Sequence, residues 1–275
     1  MLSSVLSGLS QAPHSLQSQA QELAYTIVAP AYRGYWTSTG KPSQRGIEED
    51  GRAIFKFLEE GGYKHLGTSQ NPRINLSHGG KVPERVGNTV DLEEEVELIL
   101  WGQSIGANIA MTTLANHLTQ CGPEPGLQPP QQPLTVKLPP PAAIILETPF
   151  LSIPEMLVEL YPQRWLPYRY LSPFLRNWWD MQDAANKLHI AGYSPGKISI
   201  LVAENDELVG RAQGEKIYAI LRNHFAEDEG AGQRELRKVV VKGALHVECL
   251  LKGQGRREVM GIIQAVGEGP GRLRV

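Results

Sequence analysis

Ser104 stands at the centre of a Gly-x-Ser-x-Gly sequence that joins an apolar run to a stretch of small residues. The run over 96–101 is typical of a buried strand, and the small residues after the serine indicate a helix. A sharp strand-to-helix turn exposes the serine hydroxyl and leaves the backbone N–H of Ile105 at the helix N-terminus. The pattern predicts that Ser104 is a nucleophile and that the backbone N–H of Ile105 donates to an oxyanion. We expect Gly102 and Gly106 to leave enough room for the sharp turn.

A serine hydroxyl is a weak nucleophile, so it needs a base to remove its proton and an acid to orient that base. When the nucleophile follows a strand in this way, the acid and then the histidine follow later strands of the chain. Asp206 comes just after the apolar run Lys197–Ala203, and His246 comes just after the run Leu236–Val241. We therefore predict that His246 takes the proton of Ser104 and that Asp206 fixes the orientation of the imidazole.

Other residues compete for these roles. Glu204 and Glu207 are the nearest alternatives to Asp206 as the acid, and Glu147, which follows the preceding strand, is a weaker one. The remaining histidines fall in loops, in surface helices or at helix ends: His14, His65, His78, His117, His189 and His224. The serine motif also has an alternative interpretation, a glycine-rich turn in which the serine has no chemical role.

The composition is that of an ordinary globular protein, with 41% hydrophobic and 20% charged residues in a chain of 275. The net charge of -2 gives no indication of a nucleic-acid partner. Cys121 and Cys249 form neither a disulfide framework nor a ligand pair, so we expect no metal and no cofactor. The sequence has no apolar run of about 18 residues and no signal-peptide pattern near Met1, which leaves the compartment undefined.

Apolar runs and amphipathic segments alternate along the chain, which predicts an α/β fold with a mostly parallel sheet and helices on both faces. Besides the run before Ser104, the predicted strands are 142–147, 197–203 and 236–241, and 24–30 is a further β-rich run. The predicted helices are 44–59, 105–117, 210–224 and 256–266, with one or two surface helices in 2–23 and a loose tail from 267. We interpret 1–275 as a single domain.

Three segments interrupt this alternation. Residues 61–91 form a polar excursion, and residues 120–141 form a loop rich in proline and glutamine. Residues 148–180 are dense in aromatic side chains, among them Phe150, Trp165, Phe174, Trp178 and Trp179. This last segment suits a cap over an apolar pocket, and ordinary core packing explains it equally well.

Several short motifs resemble the serine hydrolases of the α/β-hydrolase superfamily, in the branch that includes lysophospholipases, monoacylglycerol lipases and protein depalmitoylases. They are Tyr32-Arg33-Gly34-Tyr35, Gly102-Gln103-Ser104-Ile105-Gly106, Glu147-Thr148-Pro149-Phe150, Asn205-Asp206 and Gly243 to His246. The resemblance implies an α/β-hydrolase fold and a triad of Ser104, Asp206 and His246. It further implies cleavage of an ester or thioester in an acylated small molecule, a lipid or an acyl-protein, without a cofactor.

The chain also departs from this family. Ala31 stands where the family usually has aspartate before Tyr-Arg-Gly, and the segment before Tyr25 is too short for the family's first strands. Those strands lead to a His-Gly loop that supplies a second oxyanion donor. We therefore expect an N-terminally incomplete α/β-hydrolase domain, whose longer parent could be membrane-associated. The alternative function is that of a non-catalytic relative that binds a lipid or a protein partner.

Overall fold

A parallel β-sheet forms the centre of the fold. The computed structural model describes residues 25–61, 96–120, 139–163, 165, 170, 174–225 and 235–268, and within these ranges the sheet has four strands. They lie in the order β1 (Ile99–Gln103), β2 (Ala143–Glu147), β3 (Lys197–Ala203) and β4 (Glu235–Val241). All neighbouring pairs are parallel, with Gln103 beside Glu147 and Ala203 beside Val241. The carboxyl ends of the strands therefore lie along one edge of the sheet.

Helices connect and cover these strands in the same ranges. They are α1 (Gln44–Glu59), α2 (Ile105–Gln120), α3 (Ile153–Leu160), α4 (Met181–Ile190), α5 (Arg211–Phe225) and α6 (Gly253–Glu268), with a short 3-10 helix at Cys249–Leu251. The side chains of Ser43, Ser152 and Asp180 accept hydrogen bonds from backbone N–H groups in the first turns of α1, α3 and α4. These caps satisfy donors that a helix leaves without partners at its start.

Both faces of the sheet are covered. Strand β2 is buried at all five positions because it lies inside the sheet and beneath a layer on each side. On one face Ile144 and Leu146 pack with side chains of α1, α2, α4 and α5, and on the other Ala143 and Ile145 pack with α6 and the 3-10 helix. Alternation of side chains along the strand separates the two cores. The predicted α/β fold class, a parallel sheet with helices on both faces, is confirmed.

The elements differ from the sequence prediction at several places, among them α3, which lies in the aromatic segment 148–180 where no helix was predicted. Residues 25–30 form no strand, because only Val28 packs against the core and the run has no buried face. Helix α4 lies where the sequence analysis assigned no element. Helix α6 begins three residues earlier than predicted and continues to Glu268. Helix propensity did not predict this start, because glycine disfavours a helix. Packing requires the glycine, however, since a Cβ on Gly255 would lie 2.1 Å from the Cys249 carbonyl oxygen.

Some predicted segments lie outside the described residues. These are the surface helices in 2–23, nearly all of the polar excursion 61–91, most of the loop 120–141 and the end of the tail after 268. Their predicted character, and the interpretation of 1–275 as one domain, stay predictions.

Candidate active site

The backbone turns sharply at Ser104, between β1 and α2. Ser104 has a φ of 52°, in the left-handed region that residues other than glycine rarely occupy. Its backbone N–H donates to the carbonyl oxygen of Glu147 on the adjacent strand, with N and O 2.8 Å apart. A conformation of this kind costs on the order of 1–3 kcal/mol and persists only where the surrounding structure enforces it. The hydrogen bond to β2 is part of that enforcement.

The two glycines of the motif differ in what they contribute. A Cβ on Gly102 would lie 2.3 Å from the carbonyl oxygen of Gly106, so the start of α2 packs directly on the β1 backbone. A Cβ on Gly106 would meet no atom within 4 Å and would point into open space. A Cβ would therefore clash at Gly102 and not at Gly106, so steric crowding requires a glycine at Gly102.

Ser104, Asp206 and His246 come together at the carboxyl edge of the sheet. The Oγ of Ser104 lies 2.8 Å from Nε2 of His246, and Nδ1 of His246 lies 2.9 Å from each carboxylate oxygen of Asp206. With its proton on Nδ1, the imidazole donates to Asp206 and accepts the Ser104 hydroxyl at Nε2. The His246 and Asp206 side chains are 4% and 2% exposed, which strengthens their electrostatic interaction. The arrangement can move a proton from the serine to an oriented histidine.

The turn after β3 fixes the Asp206 carboxylate. Its Oδ1 accepts hydrogen bonds from the backbone N–H groups of Leu208 and Val209, at 3.0 and 2.8 Å. Hydrogen bonds to an ionised acceptor are stronger than those between neutral groups, so these two contacts and the one from His246 together define the carboxylate's orientation.

Glu204 and Glu207, the nearest alternatives for the acid, contact the histidine turn through its backbone. The carboxylate of Glu207 accepts the backbone N–H of His246 at 3.0 Å, and that of Glu204 accepts the N–H of Gly243 at 2.8 Å. The sequence analysis named both only as competitors of Asp206 and missed this supporting contact. The sequence did contain a signal for this contact, since three carboxyl groups follow β3 within four residues and only one of them can be the acid.

Ile105 is the first residue of α2, where a helix N–H has no acceptor within the helix. The positive end of the helix dipole lies at the same place. The backbone N–H of Ile105 is therefore a suitable donor to an oxyanion that forms on a carbonyl attacked by Ser104.

One turn after the serine, Asn108 anchors both ends of the aromatic segment. Its buried Nδ2 donates to the carbonyl oxygens of Phe150 and Trp179, at 2.8 and 2.7 Å. The side chains of Phe150 and Trp179 are buried in a cluster with Ile47, Ile109 and Val209. Sequence reasoning missed Asn108, because an asparagine on a small-residue helix gives no signal for partners that lie 42 and 71 residues away.

The middle of the aromatic segment has a different environment from its ends. Among the residues described there, Trp165, Tyr170, Phe174 and Trp178 are 80%, 63%, 79% and 44% exposed. The ends of residues 148–180 thus belong to the core, and the aromatic side chains described in the middle are exposed.

A hydrogen-bond network around the buried Gln213 joins the segment after β2 to the turn that carries the acid. The Oε1 of Gln213 on α5 accepts the backbone N–H of Leu151 at 2.8 Å, and its Nε2 donates to Glu159 at 2.6 Å. The same Glu159 oxygen accepts the N–H of Gly210 at 3.0 Å. Because Gly210 directly follows Val209, the contact fixes α3 to the turn that orients Asp206.

Glu147, the last residue of β2, has a carboxyl group that is almost completely buried. Burial raises its pKa from 4.5 to about 7, because the charged form loses its hydration. The side chains of Trp101 and Gln103, the backbone of Leu250 and the charge of His246 oppose this rise. Within the described ranges the Oε1 of Glu147 and the Nε2 of Gln103 each lack a hydrogen-bond partner.

Other candidate groups in the described part of the chain lie apart from this arrangement. His117 stacks on Phe55, and the ring centres of His189 and His224 lie 5.1 Å apart. The residues described contain no cluster of three or more His, Cys, Asp or Glu side chains that could hold a metal ion. Likewise, the helices in these ranges include none with the length and apolar character needed to cross a bilayer.

The chain has a relative among curated proteins. It is 24% identical to the human protein ABHD12B over 212 residues, which cover 74% of this chain and 44% of that protein. The chain thus spans less than half the length of this relative. A scan against protein-family models gives no match.

Several solved structures are similar to this one. The esterase Pf2001 of Pyrococcus furiosus is 13% identical, with 85% of this chain and 68% of that chain covered and a TM-score of 0.46. Acyl-protein thioesterase 2 of Zea mays is 12% identical, with coverages of 89% and 72% and a TM-score of 0.37. The monoacylglycerol lipase of Paleococcus ferrophilus is 13% identical, with coverages of 85% and 81% and a TM-score of 0.40.

Gly102→Ala should destabilise the protein, because the new Cβ would overlap the carbonyl group of Gly106. We expect the free energy of unfolding to fall by about 1–3 kcal/mol, as for other overpacked sites. Gly106→Ala is the matched control and should raise it by about 0.5–1 kcal/mol, since alanine favours the helix and meets open space. Chemical denaturation measures both variants. Equal losses in the two would contradict the steric interpretation.

Glu147→Gln should change how stability depends on pH. A carboxyl group whose folded-state pKa is raised stabilises the fold below its unfolded pKa, and that contribution is lost as pH rises through the folded pKa. For Glu147 this pH range runs from 4.5 to about 7, and the free energy of unfolding should fall across it by on the order of 3 kcal/mol. Glutamine does not titrate, so the variant should lose less stability between pH 4.5 and pH 8. Parallel pH dependences in chemical denaturation would show that Glu147 ionises normally.

Proposed function

We propose that the chain is a serine hydrolase with an α/β-hydrolase fold that cleaves acyl esters or thioesters. The observation that carries the proposal is the continuous contact from the Oγ of Ser104 through His246 to Asp206, at 2.8 and 2.9 Å. The strained turn at the serine and the chain order Ser, Asp, His support it. The substrate would be an acylated small molecule, a lipid or an acyl-protein.

The first half of the reaction forms an acyl-enzyme. The Oγ of Ser104 attacks the acyl carbonyl carbon while its proton moves to Nε2 of His246, and Asp206 stabilises the imidazolium that results. The carbonyl oxygen becomes an oxyanion, which the backbone N–H of Ile105 stabilises. When the tetrahedral intermediate collapses, the bond to the leaving oxygen or sulfur breaks, and His246 returns the proton to the leaving alcohol or thiol.

The second half regenerates the serine. His246 removes a proton from a water molecule, whose oxygen attacks the acyl carbon of the Ser104 ester. The second tetrahedral intermediate collapses with cleavage of the bond to Oγ, and the proton on Nε2 returns to the serine. The products are a carboxylic acid and the free enzyme, so the cycle needs neither a redox partner nor a second substrate besides water.

The acyl group gives this substrate class its apolar part. We propose that the exposed aromatic side chains Trp165, Phe174 and Trp178 contact the acyl chain, because exposed aromatic surface of this kind suits an apolar ligand. Asn108 supports this assignment, since it attaches both ends of the aromatic segment to α2, the helix that follows Ser104.

A fluorophosphonate probe tests the activated serine without knowledge of the substrate. We expect the protein to be labelled and Ser104→Ala to lose labelling completely, because the probe reacts at the serine Oγ. Ser199→Ala is the matched control, since Ser199 lies in the first half of β3, away from the carboxyl edge, and it should be labelled normally. Circular dichroism verifies that each protein is folded. A folded, unlabelled protein would contradict the proposal and favour a non-catalytic relative that binds a lipid or a protein partner.

Asp206→Asn tests which carboxyl group orients the histidine. An amide in place of the carboxylate no longer favours the Nδ1–H form, so we expect the labelling rate to fall by roughly 10³–10⁴. Glu204→Gln is the control, because Glu204 follows the same strand but contacts only the backbone of Gly243 in the histidine turn. Its rate should change by less than about tenfold, the effect of one hydrogen bond. Equal losses in both variants would contradict the assignment of Asp206.

A further inference from the structure

The last residues of the aromatic segment contact the start of α1, an element that has no part in the mechanism above. The Oε1 of Gln44 accepts hydrogen bonds from the backbone N–H groups of Trp178 and Trp179, at 2.6 and 3.2 Å. In return, the backbone N–H of Gln44 donates to the Oδ1 of Asn177 at 2.7 Å. These three hydrogen bonds, which we call the Gln44 contact, join two parts of the chain that lie more than a hundred residues apart.

The side chain of Gln44 is itself fixed in orientation. Its Nε2 donates to the Oε1 of Glu48, one turn later on α1, at 2.9 Å. A glutamine amide has one donor end and one acceptor end, and an ionised glutamate can only accept. The bond to Glu48 therefore directs the amide oxygen of Gln44 toward the aromatic segment.

The backbone that Gln44 holds is strained. Trp179 has a φ of 44°, in the left-handed region that a bulky side chain rarely occupies. Such a conformation costs on the order of 1–3 kcal/mol and persists where surrounding contacts enforce it. Here the contacts come from two helices, since Gln44 on α1 accepts the N–H of Trp179 and Asn108 on α2 donates to its carbonyl oxygen.

Polar contacts rather than apolar packing position Trp178. Its indole Nε1 donates to the carbonyl oxygen of Leu175 at 3.1 Å, which ties the ring to the turn that follows Phe174. Its own carbonyl oxygen accepts the N–H of Ile153, at the start of α3. Gln44 and Trp178 also line a cavity of about 370 Å³. The other side chains that line it are all polar or charged: Glu48, Thr112, Asn116, Asp180, Asp183 and Lys187.

We propose that Gln44 is a positioning residue for the acyl chain, because it holds the aromatic surface of Trp178 at a fixed place relative to Ser104. Asn108 connects Trp179 to the helix that follows the serine, and Gln44 fixes the same backbone from the opposite element. Loss of the Gln44 contact should therefore weaken the preference for long acyl chains without altering the chemistry at the serine. The inference rests on the proposed function, since it concerns the acyl group of that substrate class.

Two fluorophosphonates that differ only in their alkyl chain, ethyl and dodecyl, test this role. The ratio of the dodecyl to the ethyl labelling rate reports contacts of the chain, because both probes react at the same serine by the same chemistry. In Gln44→Ala the N–H groups of Trp178 and Trp179 lose their acceptor, and we expect the ratio to fall roughly tenfold, the effect of about one hydrogen bond. A purely structural role would slow both probes alike, so an unchanged ratio would overturn the proposal.

A double exchange provides the rescue, and a second glutamine provides the control. Gln44→Glu combined with Glu48→Gln keeps an acceptor at the first position, a donor at the second and the same net charge, so it should restore most of the ratio. Gln254, the second residue of α6, likewise accepts a backbone N–H, that of Lys242 at 3.3 Å, and Gln254→Ala should leave the ratio unchanged. The proposal fails if the double exchange lowers the ratio as much as Gln44→Ala does, or if Gln254→Ala lowers it equally.

Binding of laurate, a carboxylic acid with a chain as long as that of the dodecyl probe, separates this proposal from the proposed function. Calorimetry on Ser104→Ala measures binding without any reaction, and adding Gln44→Ala should raise the Kd roughly tenfold, again the effect of about one hydrogen bond. Gln44-dependent binding to a protein that no fluorophosphonate labels would contradict the proposed function alone. If folded Ser104→Ala binds no laurate, or binds it equally well with Gln44→Ala, the role of Gln44 is overturned.

Discussion

The hydrogen bond from the Ser104 backbone to the Glu147 carbonyl is the contact on which the carboxyl edge of the sheet depends. It joins a strained turn to β2, the strand that is buried on both faces. The same edge continues across the sheet, because the N–H of Thr148 donates to Leu201 at 2.7 Å and the N–H of Asn205 donates to Ala244 at 2.9 Å. The nucleophile, the acid and the histidine turn are therefore linked from strand to strand by backbone hydrogen bonds, and their side-chain distances follow from the register.

The apolar cores on the two faces of the sheet offset the strain at this edge. The left-handed conformation of Ser104 costs on the order of 1–3 kcal/mol, about as much as burying one large apolar side chain contributes. Ile144 and Leu146 on one face and Ile145 on the other are completely buried, so β2 alone offsets the strain of the turn. A strand that packs on both sides is therefore a suitable support for a strained neighbour, since it moves only if both cores are disrupted.

The sequence allowed prediction of those features whose signals are local. Apolar runs that end in Ser104, Asp206 and His246 identify both the strands and the residues that the edge brings together. The backbone turn after β3 decides which carboxyl contacts the imidazole. The sequence alone does not decide it, because Glu204, Asp206 and Glu207 all follow that strand within four residues. The partners of Asn108 and Gln213 lie 42 to 71 residues away, so only the folded topology identifies them. The two glycines of the motif look equivalent in the sequence, but a Cβ would clash at Gly102 and not at Gly106, a difference that only the folded backbone reveals.

Topology also explains why two carboxyl groups at one edge have different properties. Asp206 lies in a turn, where the N–H groups of Leu208 and Val209 are free to donate to its carboxylate. Glu147 lies at the end of a central strand, and the next N–H, that of Thr148, is already used by β3. The Glu147 carboxyl interacts instead with the side chains of Trp101 and Gln103 and with the backbone of Leu250, and burial outweighs these contacts and raises its pKa to about 7. One edge of the sheet therefore holds two carboxyl groups in different environments: Asp206 is hydrogen-bonded to the imidazole, and Glu147 is buried with a raised pKa.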